Sequence, residues 1–226
     1  IGVSKLMKED IIKYFNVPPE KVEVIHNGID LNKWKHTPIS DSLKKEYGIK
    51  DDYILFVGRP TPQKGMEYLV DAADEIPVQI VFGAVGADTK EYEDRMKEKV
   101  KTKKNIVWIN KLLKEEEYIQ LYSSAKVFVC PSIYEPFGII NLEAMACKTP
   151  VVASATGGIL EVVIPEKTGI LVEPANPKQI ASAVNRLLKD PSLAKRMGEE
   201  GRKRVEEQFS WEHIAQKTKK LYESLI

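Results

Sequence analysis

The sequence predicts a doubly wound parallel α/β sheet with helices on both faces. Strand and helix signals alternate through most of the 226 residues. The strand runs are near-continuously apolar, as expected of strands buried on both faces rather than one. Repeated β-α units of this kind close into a parallel sheet.

The elements follow in order. An amphipathic helix is expected at "SKLMKEDIIKYF" (4–15), then Pro18-Pro19, then a strand at "KVEVIHNG" (21–28). The loop "NGIDLNKWKHTPIS" leads to "YILFVG" (53–58), the first fully apolar strand. Helix-period spacing over 64–75 precedes the strand "VQIVFG" (78–83), and the same spacing over 88–103 precedes "NIVWIN" (105–110). A helix over 114–124 feeds "AKVFVCPS" (125–132); another over 137–147 feeds "TPVVAS" (149–154). A short helix over 157–163 precedes "TGILVE" (168–173), and helices over 177–189, about 192–207 and 209–225 close the chain. Residues 1–40 read as a linker region from an amino-terminal domain outside this sequence, 41–208 as the sheet domain and 209–226 as a terminal helix. The opening "IGVS", without an initiator Met, reads as the end of a strand already in progress and predicts a piece of something longer.

Composition excludes several function classes. With 34 basic and 33 acidic side chains the net charge is +1, which argues against a nucleic-acid partner. The one basic run, "KEKVKTKKN" (97–105), reads as a solvated helix end. No apolar run approaches the roughly 18 residues that a transmembrane segment needs. Cys130 and Cys147, in apolar surroundings and without metal-ligand spacing, suit reduced thiols in a cytoplasmic protein. His26, His36 and His213 also lack such spacing, so no metal site is expected.

Ligands of an open α/β sheet collect at the carboxyl ends of its strands. Three loops there combine glycine, charge and a helix start. The first, "GRPTPQKG", carries Gly58, Arg59 and Lys64 and is stiffened by two prolines. It lacks the spacing of a P-loop or a dinucleotide fingerprint, and by itself equally suits a stiff surface turn. The second, "YEPFGIINLEAMA", places Glu135 before a helix start at Gly138 and Glu143 along that helix, about 7–8 Å further at 1.5 Å per residue. The first-turn N–H groups form an anion site flanked by two carboxylates, an arrangement matching a sugar nucleotide. Spacing alone also admits a structural role, with both glutamates paired to arginines or capping helices. The third, "SATGGILEVV", repeats the theme at Gly157-Gly158, with Glu161 inside the helix that follows.

At these residues the sequence resembles a family. "EPFGIINLEAMACKTPVVASATGGILEVV" is similar to the signature of retaining glycosyltransferases of two-Rossmann-domain (GT-B) architecture, glycogen and starch synthases in particular. "FVGRPTPQKGMEYLVDAA", "VIHNGID", "TGILVEPANPKQIASAV" and "FSWEHIAQKTKKLYESL" resemble the same family in the same order, so the likeness spans essentially the whole chain. The resemblance implies one Rossmann-like half of a GT-B fold. It implies that Arg59 and Lys64 stabilise the donor diphosphate as leaving group, a task otherwise given to a metal. It implies that Phe137, Gly138, Ile139 and Ile140 form the phosphate-binding turn, the last three through backbone N–H groups. Glu143 would then hold ribose and Glu135 the transferred sugar, with Gly58, Gly157 and Gly158 lining the cleft. No cofactor follows beyond the substrate, ADP-glucose or UDP-glucose, and the acceptor, an α-glucan, would be bound through the amino-terminal domain. Other GT-B transferases (acting on sucrose, lipid or cell-wall glycan) and a non-catalytic nucleotide-binding module are the competing expectations; an epimerase of this architecture fits the ordered motifs less well. Lys148 stands where the family commonly has glycine, and a surface effect is expected from it.

Overall fold

The computed structural model describes residues 1–225. Six strands form one all-parallel sheet: β1 (Tyr53–Val57), β2 (Gln79–Gly83), β3 (Ile106–Ile109), β4 (Val127–Cys130), β5 (Val151–Ser154) and β6 (Gly169–Val172). Their order is β3-β2-β1-β4-β5-β6, so the direction of winding reverses between β1 and β4. The register is continuous, with Leu55 beside Val81 on one flank and Phe128 on the other. This is the Rossmann-like α/β architecture that the apolar runs predict.

Among the described residues, ten α-helices surround or flank the sheet: α1 (Lys5–Phe15), α2 (Asp41–Tyr47), α3 (Met66–Ala72), α4 (Lys90–Lys101), α5 (Glu115–Ser124), α6 (Ile139–Ala146), α7 (Ile159–Val162), α8 (Pro177–Lys189), α9 (Pro191–Gln208) and α10 (Trp211–Glu223). Side chains alternate along β1 and build two cores. Tyr53, Leu55 and Val57 join Leu121 and Tyr122 of α5 and Leu142 and Met145 of α6. Ile54 and Phe56 join Met66 and Leu69 of α3 and Val184 and Leu187 of α8. Each of these β1 side chains contributes about 2 kcal/mol by leaving water. Both faces are therefore dry, which is why the strands read as apolar runs and not as alternation.

The expected strand at 21–28 is not formed. Its backbone makes one parallel bridge, Gly2 with Val24, and Ile29 makes another with Ser210. Val22, Ile25 and Ile29 are buried, and Ile29 joins the core on the α5 and α6 face, so the apolar residues leave water without adding a strand to the sheet. Helix α2 carries no expectation from periodicity because it buries one residue, Leu43. It forms around local caps: the Ser40 hydroxyl accepts from the Leu43 N–H, and Gly48 closes the helix in the left-handed region. The basic run is solvated but paired: Lys97 meets Glu93, Lys99 meets Asp71 and Lys103 meets Asp74. Among the described residues no helix is long and apolar enough to cross a membrane.

Lys148 follows α6 with φ of +64°, a left-handed conformation that glycine adopts without strain. The departure is thus conformational as well as exposed. Its carbonyl packs on Gly198 of α9, where an added Cβ would lie 2.0 Å from the oxygen. Lys148→Gly is expected to relieve about 1 kcal/mol of strain and return part of it as unfolded-chain entropy. The net gain of about 0.5 kcal/mol should raise the thermal midpoint by about 1–2 °C in a calorimetric melt.

Candidate functional site

The reversal between β1 and β4 opens a crevice at the carboxyl edge of the sheet, and all three glycine-bearing loops meet there. The loop after β1 turns on a short 3-10 segment, Pro62–Lys64, capped by the Thr61 hydroxyl. Gly65 then adopts φ of +65°, and a Cβ there would stand 2.0 Å from the Pro131 carbonyl. Only glycine permits this approach, which brings the loop after β1 against the loop after β4. Gln63 seals the contact: its Nε2 donates to the Tyr134 carbonyl at 3.0 Å, and its own carbonyl accepts from the Ile133 N–H at 2.8 Å.

This docking sets Lys64 beside Glu135. The Lys64 Nζ donates to Glu135 Oε2 at 2.7 Å, and the Ser132 hydroxyl donates to the same oxygen at 3.1 Å. The Glu135 side chain is 7% exposed, so its charge depends on these partners. Its Oε1 has no protein partner among the described residues. The structural alternative for Glu135 is thus partly realised, with a lysine in place of an arginine. Arg59 lies apart: its Nη1 donates to Asp88 Oδ1 at 2.9 Å, and both side chains are largely exposed.

Gly138 is the N-cap of α6, with φ of +92°. A Cβ would fall 2.6 Å from the Asn141 amide nitrogen and 3.2 Å from Glu135 Cγ, so the helix start is drawn tightly onto Glu135. Asn141 is fully buried, and its Oδ1 finds no partner among the described residues. Ile139 is exposed at the mouth of the crevice, whereas Phe137 is buried and faces the core. Glu143 accepts from the Tyr122 hydroxyl at 2.9 Å through Oε2. Burial raises its carboxyl from 4.5 to about 7; the tyrosine hydrogen bond opposes the rise, and the charge of Glu115 adds to it. Burial likewise pushes the Cys130 thiol up to about 11 and the Cys147 thiol to about 12, leaving both unreactive at neutral pH.

Gly157 and Gly158 press against the backbone of the loop after β4. A Cβ on Gly157 would lie 2.1 Å from the Glu135 carbonyl, and one on Gly158 2.5 Å from Phe137 Cα. The Gly158 N–H donates to the Glu135 carbonyl at 2.9 Å, and the Thr156 hydroxyl to that of Ile133 at 3.0 Å. Their role is to brace the Glu135 backbone. Gly157→Ala, also strained by φ of +54°, is expected to cost about 2–4 kcal/mol, measured by urea unfolding.

A cleft of about 570 Å³ continues from the crevice across β1 and β2. Gly58, Arg59, Ile140 and Glu143 line it, joined by Trp34, Leu112 and Tyr118. The last three escape sequence reasoning because they lie in a loop, a strand-to-helix connection and a helix that carry no glycine or paired charge. Tyr122, the partner of Glu143, escapes for the same reason, and Ser132, the partner of Glu135, escapes because a lone serine in a loop carries no signal of its own.

The chain matches the family described as "Glycosyl transferases group 1" over residues 40–204, and "Glycosyltransferase Family 4" over 1–33. It is 40% identical to the alpha-maltose-1-phosphate synthase of Mycolicibacterium smegmatis over 98% of this chain, and spans 62% of that relative's length. The solved sucrose-phosphate synthase of Thermosynechococcus elongatus superposes with a TM-score of 0.84 at 33% identity, over 99% of this chain and 57% of that one. Anabaena HepE in complex with UDP-glucose superposes at 0.87 with 23% identity, over 99% and 63% of the two chains, a likeness of fold.

Proposed function

The chain belongs to the glycosyl transferases of group 1, and from that premise we propose that it is the nucleotide-sugar-binding unit of a retaining hexosyltransferase. The donor is ADP-glucose or UDP-glucose, and an α-glucan is the acceptor, bound through an amino-terminal domain. One observation carries this reading: Lys64 and Glu135 meet at 2.7 Å beside the start of α6, and the adjoining cleft ends at Glu143.

A sugar nucleotide fits that line of groups. The nucleoside occupies the cleft of about 570 Å³, with ribose hydroxyls on Oε1 of Glu143, the oxygen that the Tyr122 hydroxyl leaves open. The diphosphate lies across the first-turn N–H groups at Gly138, Ile139 and Ile140, between Arg59 and Lys64. The sugar then reaches Glu135 Oε1. As the bond from the anomeric carbon to the diphosphate breaks, its electron pair goes to the leaving oxygen. Arg59 and Lys64 stabilise the charge that develops there. The acceptor hydroxyl attacks from the same face and passes its proton to the departing diphosphate oxygen, so configuration is kept. Glu135 and Glu143 serve as hydroxyl grips, not as the acid and nucleophile of a glycosidase. Residues 41–208 form the donor domain in this reading, 1–40 the connection from the preceding domain and 209–226 the closing helix, in a cytoplasmic enzyme.

A second reading replaces the glucan with a sugar phosphate as acceptor. The names of two relatives, alpha-maltose-1-phosphate synthase and sucrose-phosphate synthase, favour it. Titration calorimetry with ADP-glucose, UDP-glucose, GDP-mannose and the free diphosphates tests the donor; binding of none would overturn the proposal. The full-length enzyme, assayed with glycogen and with glucose 1-phosphate, separates the two acceptors. The isolated 226-residue chain is expected to bind donor and transfer it poorly, because acceptor and donor are not held in one site.

A further inference from the structure

We propose that His26 and Glu161 are positioning residues for Glu135, acting through Phe137; this rests on the donor-binding reading above. Glu161 lies on α7, directly after Gly157-Gly158, and its side chain is 16% exposed. Both carboxylate oxygens are engaged by segments distant in sequence. Oε1 accepts from the Lys5 N–H at the start of α1 at 2.7 Å, and Oε2 accepts from His26 Nε2 at 3.0 Å. Arg204 of α9 fixes the same turn from the other side, donating to the carbonyls of Glu161 and Val162 at 2.7 and 2.8 Å. Glu161 is thus anchored at its backbone and directs its charge at the imidazole.

The imidazole is in turn a wedge. Its ring stacks on Phe137 at 5.5 Å with 22° between planes, and packs against Phe209 at 5.5 Å on a tilt. Phe137 is 2% exposed and two residues from Glu135. Gly158 contacts Phe137 Cα on one side and donates its N–H to the Glu135 carbonyl on the other. A continuous set of contacts therefore runs from α1 and α7 through His26 and Phe137 to Gly158 and the backbone carbonyl of Glu135, the residue whose side chain meets Lys64. An apolar side chain could fill the space between two phenylalanines. Only a ring with a hydrogen-bond donor fills it and is also held in one orientation by Glu161.

Positioning of this kind acts at the sugar end of the donor and spares the nucleotide end, since Glu143, Arg59 and the cleft lie outside the chain of contacts. In calorimetry His26→Ala is expected to weaken nucleotide-sugar binding about tenfold and nucleoside diphosphate binding less than twofold. His26→Phe, which restores the stack without the donor, should recover part of the loss; Glu161→Ala should mimic the phenylalanine variant. Equal losses on both ligands, or none, would overturn the proposal. Should His26→Ala not fold, His26→Gln keeps the donor to Glu161, removes the ring, and carries the same expectation. A ligand-free measurement separates this inference from the reading it rests on. Amide hydrogen exchange at Gly158, whose N–H holds the Glu135 carbonyl, should quicken about tenfold in these variants while Phe128–Cys130 of β4 stay protected. Unchanged exchange at Gly158 overturns the positioning role whether or not any donor binds. Failure of the unaltered chain to bind any donor overturns only the donor-binding reading.

Discussion

Lys64→Ala is expected to abolish measurable donor binding and to destabilise the fold in one step. The substitution removes the cation proposed to hold the diphosphate and leaves Glu135, 7% exposed, with the Ser132 hydroxyl as its one side-chain donor among the described residues. Breaking a buried pair from one side costs about 3 kcal/mol, because the remaining charge is neither solvated nor neutralised. Lys64 itself is about one-fifth exposed, so water entering its place should keep the loss near that figure. Affinity for nucleoside diphosphates should fall at least about a hundredfold, equivalent to about 2.7 kcal/mol. The double variant Lys64→Ala/Glu135→Gln separates the two effects. Neutralising the orphan carboxylate should restore most of the unfolding free energy in urea, whereas diphosphate binding should stay lost. A Lys64→Ala protein that binds diphosphate as tightly as the unaltered chain would sink the assignment of Lys64 and favour a module that uses this sheet for something else.

Glu143 supplies the second large effect, and it depends on pH. Its carboxyl titrates near pH 7 in the folded chain because burial penalises the charge, against 4.5 when solvated. Below about pH 4.5 folded and unfolded chains both hold the proton, and Glu143 makes no difference. Between about 4.5 and 7 the folded chain alone holds it, so stability falls as pH rises. Above pH 7 the full cost of about 3 kcal/mol is present. Glu143→Gln should therefore stabilise the protein in urea at pH 8, by up to that amount, and hardly at all at pH 4. Ribose hydroxyls donate best to the ionised form, so nucleoside diphosphate affinity should weaken by up to about tenfold from pH 8 to pH 6. The glutamine variant should bind more weakly at pH 8 with a flat profile. A pH-independent affinity in the unaltered chain would show that Glu143 is not the ribose acceptor.

The sheet was legible because its cause is local to each strand. A run such as Tyr53–Val57, dry on both faces, is apolar at every position. The same rule fails over 21–28: Val22 and Ile25 are buried, yet Val24 makes an isolated bridge with Gly2 and the segment stays outside the six-stranded sheet. The loops of the site were also legible, since glycine is demanded wherever backbones approach to within a Cβ of each other, as at Gly65 and Gly157. Direction was harder to read. The same glycines served equally for a ligand or for a neighbouring loop, and Gly157 and Gly158 turned out to press on protein. Residues that act by a single hydrogen bond, such as Tyr122 on Glu143 and His26 on Glu161, left no signal because their partners lie 21 and 135 positions away.

The reversal of winding between β1 and β4 also fixes when the site can come into being during synthesis. Lys64 and Glu135 are 71 residues apart in the chain although their strands are neighbours in the sheet. A nascent chain emerging from its amino terminus completes β1, β2 and β3 while Lys64 still lacks a partner. The charge on that lysine therefore faces water until the loop after β4 arrives, and the brace at Gly157-Gly158 follows later still. The crevice closes only after the first half of the sheet is in place.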